Sequence, residues 1–353
     1  MSANDPHFGL PVSPDTLALQ RLYHWARTMP DRVAFTQPLG GGVVKDITWK
    51  EVMDQTRRLA GHLQSLGLPP GSNIALLSKN TAWWLVCDWA IWMAGHVSVP
   101  LYPTLAAGTV RQILEHSEAK LLFVGKLDVW AEMQPGVPEG LPMITLPLAP
   151  KVPGAATWDE IVAKTAPMTD SPVRPADELC TLIYTSGTTG MPKGARIAHR
   201  GIVADAAALG AVQGFGGQPL TVLCYLPLCH VAERAFSTVM HMMTGGVVNY
   251  AESIDTVAAN LREIAPKVFL GVPRIWEKLQ QGILMRMQDA TRLQRWAFRR
   301  CFESGKALRK IVGQIVTDFE RVYPRWISQG KGDTKTTSMT DGDFLSDVER
   351  ELK

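Results

Sequence analysis

The sequence predicts an α/β protein of mostly parallel sheets layered with helices. Short apolar runs such as those at 74–77, 121–124 and 247–250 recur between segments of helical spacing, which is the alternation of doubly wound folds. A loop rich in glycine and hydroxyls, residues 185–194, follows one such run at once. The chain has 353 residues, 46% of them hydrophobic, enough for a large core or two domains and too apolar for a disordered chain.

Taken in order, residues 15–30 predict a helix opened by Asp15 and closed before Pro30. Residues 48–66 predict a second, with Val52, Leu59 and Leu63 near helical spacing and Gly67 at its end. The run 74–77 follows a Pro-Pro-Gly turn and is expected as a buried parallel strand. A helix over 81–94, a strand over 97–101, a helix over 108–117 and a strand over 121–124 come next. The stretch from Ala82 to Tyr102 holds Trp83, Trp84, Trp89 and Trp92, but Asp88 and His96 interrupt it and Gly95 and Pro100 break it. It therefore predicts a buried helix and strand, not a membrane span.

Residues 134–176 are proline-rich and weakly periodic, and are expected as a peripheral surface connection. The alternation resumes with a strand over 179–184, the loop 185–194, a helix over 202–209, a strand over 222–226 and a helix over 235–243. A strand over 247–250, a helix over 254–264 and a strand over 268–271 form one more unit. Helices over 275–300 and 303–322 close the pattern. From Gln329 to Asp343 the composition is that of a disordered tail, and the last ten residues spell one short helix.

Charge narrows the partners. Lys and Arg number 36 against 33 Asp and Glu, a net charge of +3, which is not the excess of a nucleic-acid binder. Residues 286–310 are locally basic, and Leu279, Ile283, Met287, Leu293 and Trp296 make an apolar stripe beside that charge. Such a helix either lies peripherally on an anionic membrane or buries its stripe in a core, and the second reading is preferred. Cys87, Cys180, Cys224, Cys229 and Cys301 are odd in number and lack CxxC spacing. They predict free buried thiols in a reducing compartment, with no zinc site. The N-terminus lacks a basic start followed by an apolar run, so no signal peptide is expected and the expected location is cytoplasmic.

The loop Thr185-Ser-Gly-Thr-Thr-Gly-Met-Pro-Lys-Gly194 carries the chemistry. Gly187, Gly190 and Gly194 let backbone N–H groups approach phosphate oxygens. Thr185, Ser186, Thr188 and Thr189 supply hydroxyls, and Lys193 a point charge for a polyphosphate. Lys193 is followed by glycine, so this is not the GxxxxGK[ST] loop.

With Tyr184 in front, YTSGTTGMPKG resembles the signature of the adenylate-forming superfamily, which includes the AMP-forming acyl-CoA synthetases. ITWKEV near residue 47, the run NTAWWLVCDWAIWMAGHVSVPLYPT and His199 are similar to further landmarks of that family, over about residues 15–315. YLPLCHVAER (225–234) resembles the turn that borders its acyl and adenylate pocket. FLGVPRIWEKL (269–279) resembles the long-chain fatty acid–CoA ligases in particular. The resemblance implies ATP-dependent activation of a long-chain fatty acid or other carboxylic acid through an acyl-adenylate toward acyl-CoA, with ATP, Mg²⁺ and CoA. It implies that His230 lies beside the carboxylate and acts in catalysis, that Thr185 is a metal contact, and that Gly271 and Pro273 border the acyl pocket. For Glu233 and Arg234 an ion pair at a helix start is the plainer reading.

The fold implied is the N-terminal portion of the adenylate-forming enzyme fold, with the small C-terminal domain absent. Residues 1–323 are expected as a truncated adenylation (AMP-binding) domain and 324–353 as the tail. The family's Tyr-Gly-x-Thr-Glu segment, its ribose-binding Asp and its C-terminal lysine have no match, and Asp341-Gly-Asp343 is not accepted as a substitute. Turnover is therefore expected to be incomplete in this chain, with a complementary C-terminal polypeptide as one way to restore it. The competing reading is a catalytically inactive relative that binds only nucleotide or acyl ligand.

Overall fold

A computed structural model describes residues 13–185, 192–205 and 219–306. These fall into two compact units that part between Leu270 and Gly271.

The first unit is built on two sheets. One has four strands in the order β10-β11-β1-β2: β1 is Val33–Gly40, β2 Val43–Thr48, β10 Thr221–Cys224 and β11 Val247–Tyr250. Its β10, β11 and β1 run parallel, and β1 and β2 form an antiparallel hairpin. Gly41 and Gly42 turn that hairpin with φ of +61° and +80°, angles that L side chains rarely adopt. The other sheet has seven strands in the order β7-β6-β5-β3-β4-β8-β9: β3 Asn73–Leu77, β4 Val97–Leu101, β5 Leu121–Val124, β6 Met143–Thr145, β7 Ala156–Thr157, β8 Leu179–Thr185 and β9 Lys193–Ala198. All neighbours are parallel except β9, which returns antiparallel to β8.

The helices of this unit are α1 Ala18–Thr28, α2 Trp49–Ser65, α3 Ala82–Met93, α4 Ala107–His116, α5 Trp130–Met133, α6 Trp158–Lys164, α7 over residues 199–205, α8, and α9 Val257–Ile264. Helix α8 runs from Val231–Glu233 through a π-helical stretch, Arg234–Met240, into His241–Thr244. Thr48 starts α2 with a capping box: its hydroxyl accepts from the Glu51 N–H while the Glu51 carboxylate accepts from the Thr48 N–H.

The large sheet is covered on both faces. In β3, Ile74 and Leu76 enter one apolar cluster while Ala75 and Leu77 enter a second. In β5, Leu121 and Phe123 part from Leu122 and Val124 in the same way. A strand buried on both faces has no polar side to alternate with, which is why these segments read as unbroken apolar runs. Helix α3 lies between the two sheets and is buried along its whole length. Trp89 stacks on Phe35 of β1 at 5.7 Å between centroids, while Trp92 donates its Nε1–H to the Cys180 carbonyl of β8 at 2.8 Å. The Gln37 side chain of β1 accepts from the Ala82 N–H at 2.8 Å, so the small sheet also caps the helix.

In the second unit, Pro273 opens α10, Pro273–Gln288. A new helix runs over 292–306. Thr291 caps it: its hydroxyl accepts from the Gln294 N–H at 3.3 Å, and the Gln294 side chain accepts from the Thr291 N–H at 2.9 Å. Among the described residues no helix is long and apolar enough to cross a membrane.

Several expectations are corrected. The hairpin β1–β2 was not predicted. Residues 134–176 are more than a surface connection, since β6, β7 and α6 extend the large sheet and its cover. The loop after β8 ends before Lys193, so Lys193 and Gly194 belong to β9. The helix expected at 235–243 starts at Val231. The strand expected at 268–271 is a single bridge from Val268 to Val222. The helix expected over 275–300 is interrupted by the cap at Thr291. The far ends of the helices expected over 202–209 and 303–322, and the tail from 324, lie outside the described residues.

Candidate functional site

The C-terminal ends of β4 and β8, helix α4 and the start of α8 enclose a cleft of about 510 Å³. Leu105, Ile113 and Ile183 give it apolar walls; Tyr102, Tyr184, Thr185 and His230 bring polar groups to it. Ligands of open α/β sheets sit at such strand ends. Ser186, Gly187, Thr188, Thr189 and Gly190 lie outside the described residues, but both ends of their loop are fixed. Thr185 stands opposite Lys193, and Tyr184 opposite Gly194, across the β8–β9 ladder. The hydroxyl proposed for a metal and the lysine proposed for phosphate are thus cross-strand neighbours, and both are exposed. Gly194 has a packing reason to be glycine, because a Cβ there would stand 3.2 Å from the Tyr184 ring.

His230 reaches the cleft as the N-cap of α8. Its Nδ1 accepts from the Ala232 N–H at 3.1 Å, which leaves the proton of the neutral ring on Nε2. The turn in front of it, residues 225–229, is held from the end of β3 and from α8. Asn80, just beyond β3, donates to the Leu226 carbonyl at 2.5 Å and accepts from the Leu228 N–H at 2.9 Å. Glu233 accepts from the Leu226 N–H at 3.0 Å and from the Ser237 hydroxyl. Burial pushes the Glu233 carboxyl up to about 7, although Ser237, Cys224 and the Leu226 and Tyr225 amides pull it down.

Glu233 and Arg234 do not pair with each other. Arg234 instead meets Asp88 of α3 at 2.6 Å, with both side chains buried, and its guanidinium lies over the rings of Trp84 and Trp92 at 5.3 and 5.7 Å. Burial raises the Asp88 carboxyl, while Arg234 and a hydrogen bond from Ser98 favour its charge. His199, at the start of α7, packs edge-on against Trp92, and burial lowers its imidazole to about 4.

Gly271 and Pro273 are in the second unit. The space a Cβ would fill at Gly271 holds the ring of Trp276, whose Nε1–H donates to the Gly271 carbonyl at 2.8 Å. Pro273 occupies the first turn of α10. Sequence reasoning left out Asn80, Tyr184, Asp88 and His116. Asp88 in an otherwise apolar helix was a visible signal, whereas Asn80 and His116 had none.

Comparison with known proteins agrees with this architecture. The family of AMP-binding enzymes matches residues 22–350. The long-chain-fatty-acid–CoA ligase ACSBG2 of Xenopus laevis is 31% identical over 67% of this chain and 34% of its own length. The long-chain-fatty-acid–CoA ligase FadD15 of Mycobacterium bovis is 33% identical over 73% and 44%. The chain thus spans less than half the length of these curated relatives. Among solved structures, the anthranilate CoA ligase AuaEII superposes with a TM-score of 0.64 at 19% identity, over 77% of this chain and 52% of that one. The ATP-bound MatB of Rhodopseudomonas palustris superposes with 0.62 at 21% identity, over 75% and 51%. From the β8–β9 loop and the cleft beside it to the match over residues 22–350, these observations establish that the chain belongs to the family of AMP-binding enzymes.

Proposed function

We propose that this chain activates a long-chain fatty acid with ATP, forming an acyl-adenylate and pyrophosphate on the way to acyl-CoA. The observation that supports this most directly is the cleft. It joins the start of the phosphate loop, Thr185, to His230, with apolar walls from Leu105, Ile113 and Ile183 between them. A polyphosphate over the loop meets the Lys193 charge and the Thr185 hydroxyl. A carboxylate entering the cleft lies within reach of the His230 Nε2–H, while its hydrocarbon chain contacts the apolar walls. Holding the two reactants in one small volume supplies much of the rate, because attack of carboxylate on the α-phosphate needs alignment more than acid–base chemistry.

Among the described residues no three His, Cys, Asp or Glu side chains cluster as metal ligands. Mg²⁺ would enter with ATP, since this ion keeps several waters and takes few protein ligands; Thr185 would be one. When bound, it neutralises charge on the phosphates.

The test is acid-dependent pyrophosphate release by the purified chain under single-turnover conditions, with ATP, Mg²⁺ and fatty acids of graded length. Release should rise with chain length and fall at least tenfold in Lys193→Ala and His230→Ala. Release that ignores the acid, or that survives both substitutions, would overturn the proposal.

A further inference from the structure

The phosphate loop leaves the sheet and returns through adjacent strands, so the pairing of β8 with β9 sets the distance between its ends. Thr185 faces Lys193 and Tyr184 faces Gly194. One side chain touches both strands at this point. Tyr184 is only 5% exposed, and its ring lies against Gly194. Its hydroxyl is 2.7 Å from Nδ1 of His116, the last residue of α4. The two rings meet edge-on, 5.7 Å between centroids and 89° between planes. The same tyrosine lines the cleft beside Thr185, Pro192 and His230.

A phenylalanine would fill this volume equally well. The hydroxyl adds a tie from the strand pair to a helix in the covering layer, and buried tyrosines keep such a partner once they have it. His116 is itself exposed, so the tie does not serve to satisfy a buried imidazole.

We propose that Tyr184 and His116 are positioning residues for Lys193 opposite Thr185, at the two ends of the segment read as the phosphate site. His116 fixes the tyrosine, and the tyrosine ring fixes Gly194 and, through it, the place of Lys193 opposite Thr185. The inference rests on the reading of residues 185–194 as the phosphate site. Its consequence is selective: the pair governs how tightly the β- and γ-phosphates are held, and leaves the rest of the nucleotide untouched.

The experiment measures dissociation constants for ATP and AMP, with melting temperatures, for the wild-type chain and for Lys193→Ala, Tyr184→Phe, His116→Ala, His116→Gln and the double variant Tyr184→Phe/His116→Ala. Tyr184→Phe and His116→Ala should each weaken ATP about fivefold, the worth of one hydrogen bond, and change AMP less than about twofold. The double variant should be no weaker than either single one, as for two groups acting through one contact. His116→Gln, whose amide can still meet the phenol, should recover most of the ATP affinity. If Lys193→Ala weakens ATP and Tyr184→Phe does not, the positioning role is wrong while the phosphate site stands. Equal losses for ATP and AMP with a lower melting temperature would reduce the pair to a stabilising contact. If the wild-type chain fails to bind ATP, or Lys193→Ala has no effect, the phosphate-site reading fails and this inference with it.

Discussion

Replacing Glu233 by glutamine should remove a pH dependence that the buried carboxyl imposes on folding. Glu233 is 2% exposed, and burial raises its carboxyl from 4.5 to about 7 in the folded chain. Between those values the folded state holds a proton that the unfolded state has lost. Stability from this group is therefore complete below about pH 4.5 and declines as pH rises to about 7. At about 1.4 kcal/mol per pH unit, the interval is worth roughly 3 kcal/mol. Glutamine preserves the contacts of the neutral acid, since its carbonyl can accept from the Leu226 N–H while its amide donates to the Ser237 hydroxyl. Two histidines slope the other way. Burial lowers His199 to about 4 and His241 to about 3, so their contribution is lost as pH falls below 6.5. The wild-type curve alone mixes these effects, and the difference between the two proteins isolates Glu233. Urea unfolding followed by tryptophan fluorescence at pH 5, 6, 7 and 8 gives that difference. The variant should match the wild type within about 1 kcal/mol at pH 5 and exceed it by up to about 3 kcal/mol at pH 8. A difference that stays constant across this range would show that Glu233 is ionised throughout and refute the reasoning.

Asp88→Asn leaves the Arg234 guanidinium buried without its counter-charge, and should cost about 3–5 kcal/mol in urea unfolding. Gly245→Ala should cost about 2–4 kcal/mol by the same assay, because φ is +60° and the new Cβ would stand 2.8 Å from the Trp25 ring. Asn80→Ala removes both bonds to the turn before His230. It should lower pyrophosphate release more than ATP affinity, a split readable by comparing rates at saturating ATP with dissociation constants.

The strands at 97–101, 121–124 and 247–250 were legible to the residue, because burial leaves a short, mostly apolar run with turn residues at each end. The hairpin β1–β2 was missed although Gly41-Gly42 marks its turn. Its outer strand is mostly exposed, and the run Val43-Val44-Lys45-Asp46 carries no clean alternation. Strands β6 and β7 are three and two residues long, below what periodicity can register, and only the pairing of β6 with β5 and of β7 with β6 makes them strands. At the candidate site, the segment 185–194 stood out by its local composition of glycines, hydroxyls and a lysine. Asn80 and His116 lie 146 and 68 residues away from their partners Leu226 and Tyr184, and no local pattern encodes such a meeting.

Helix α3 also constrains how the chain is made. Apart from Asp88 it is apolar on every side because it ends up between two sheets, yet the ribosome releases its last residue, Met93, long before Tyr250, where β11 is complete. At roughly 5–20 residues per second, that delay is on the order of ten to thirty seconds. During it, four tryptophans that are buried in the finished protein lack part of their enclosure. A nascent segment of this kind is a natural substrate for ribosome-associated chaperones, and crosslinking to them should be strongest for chains arrested after α3 has emerged and fade once β11 has emerged.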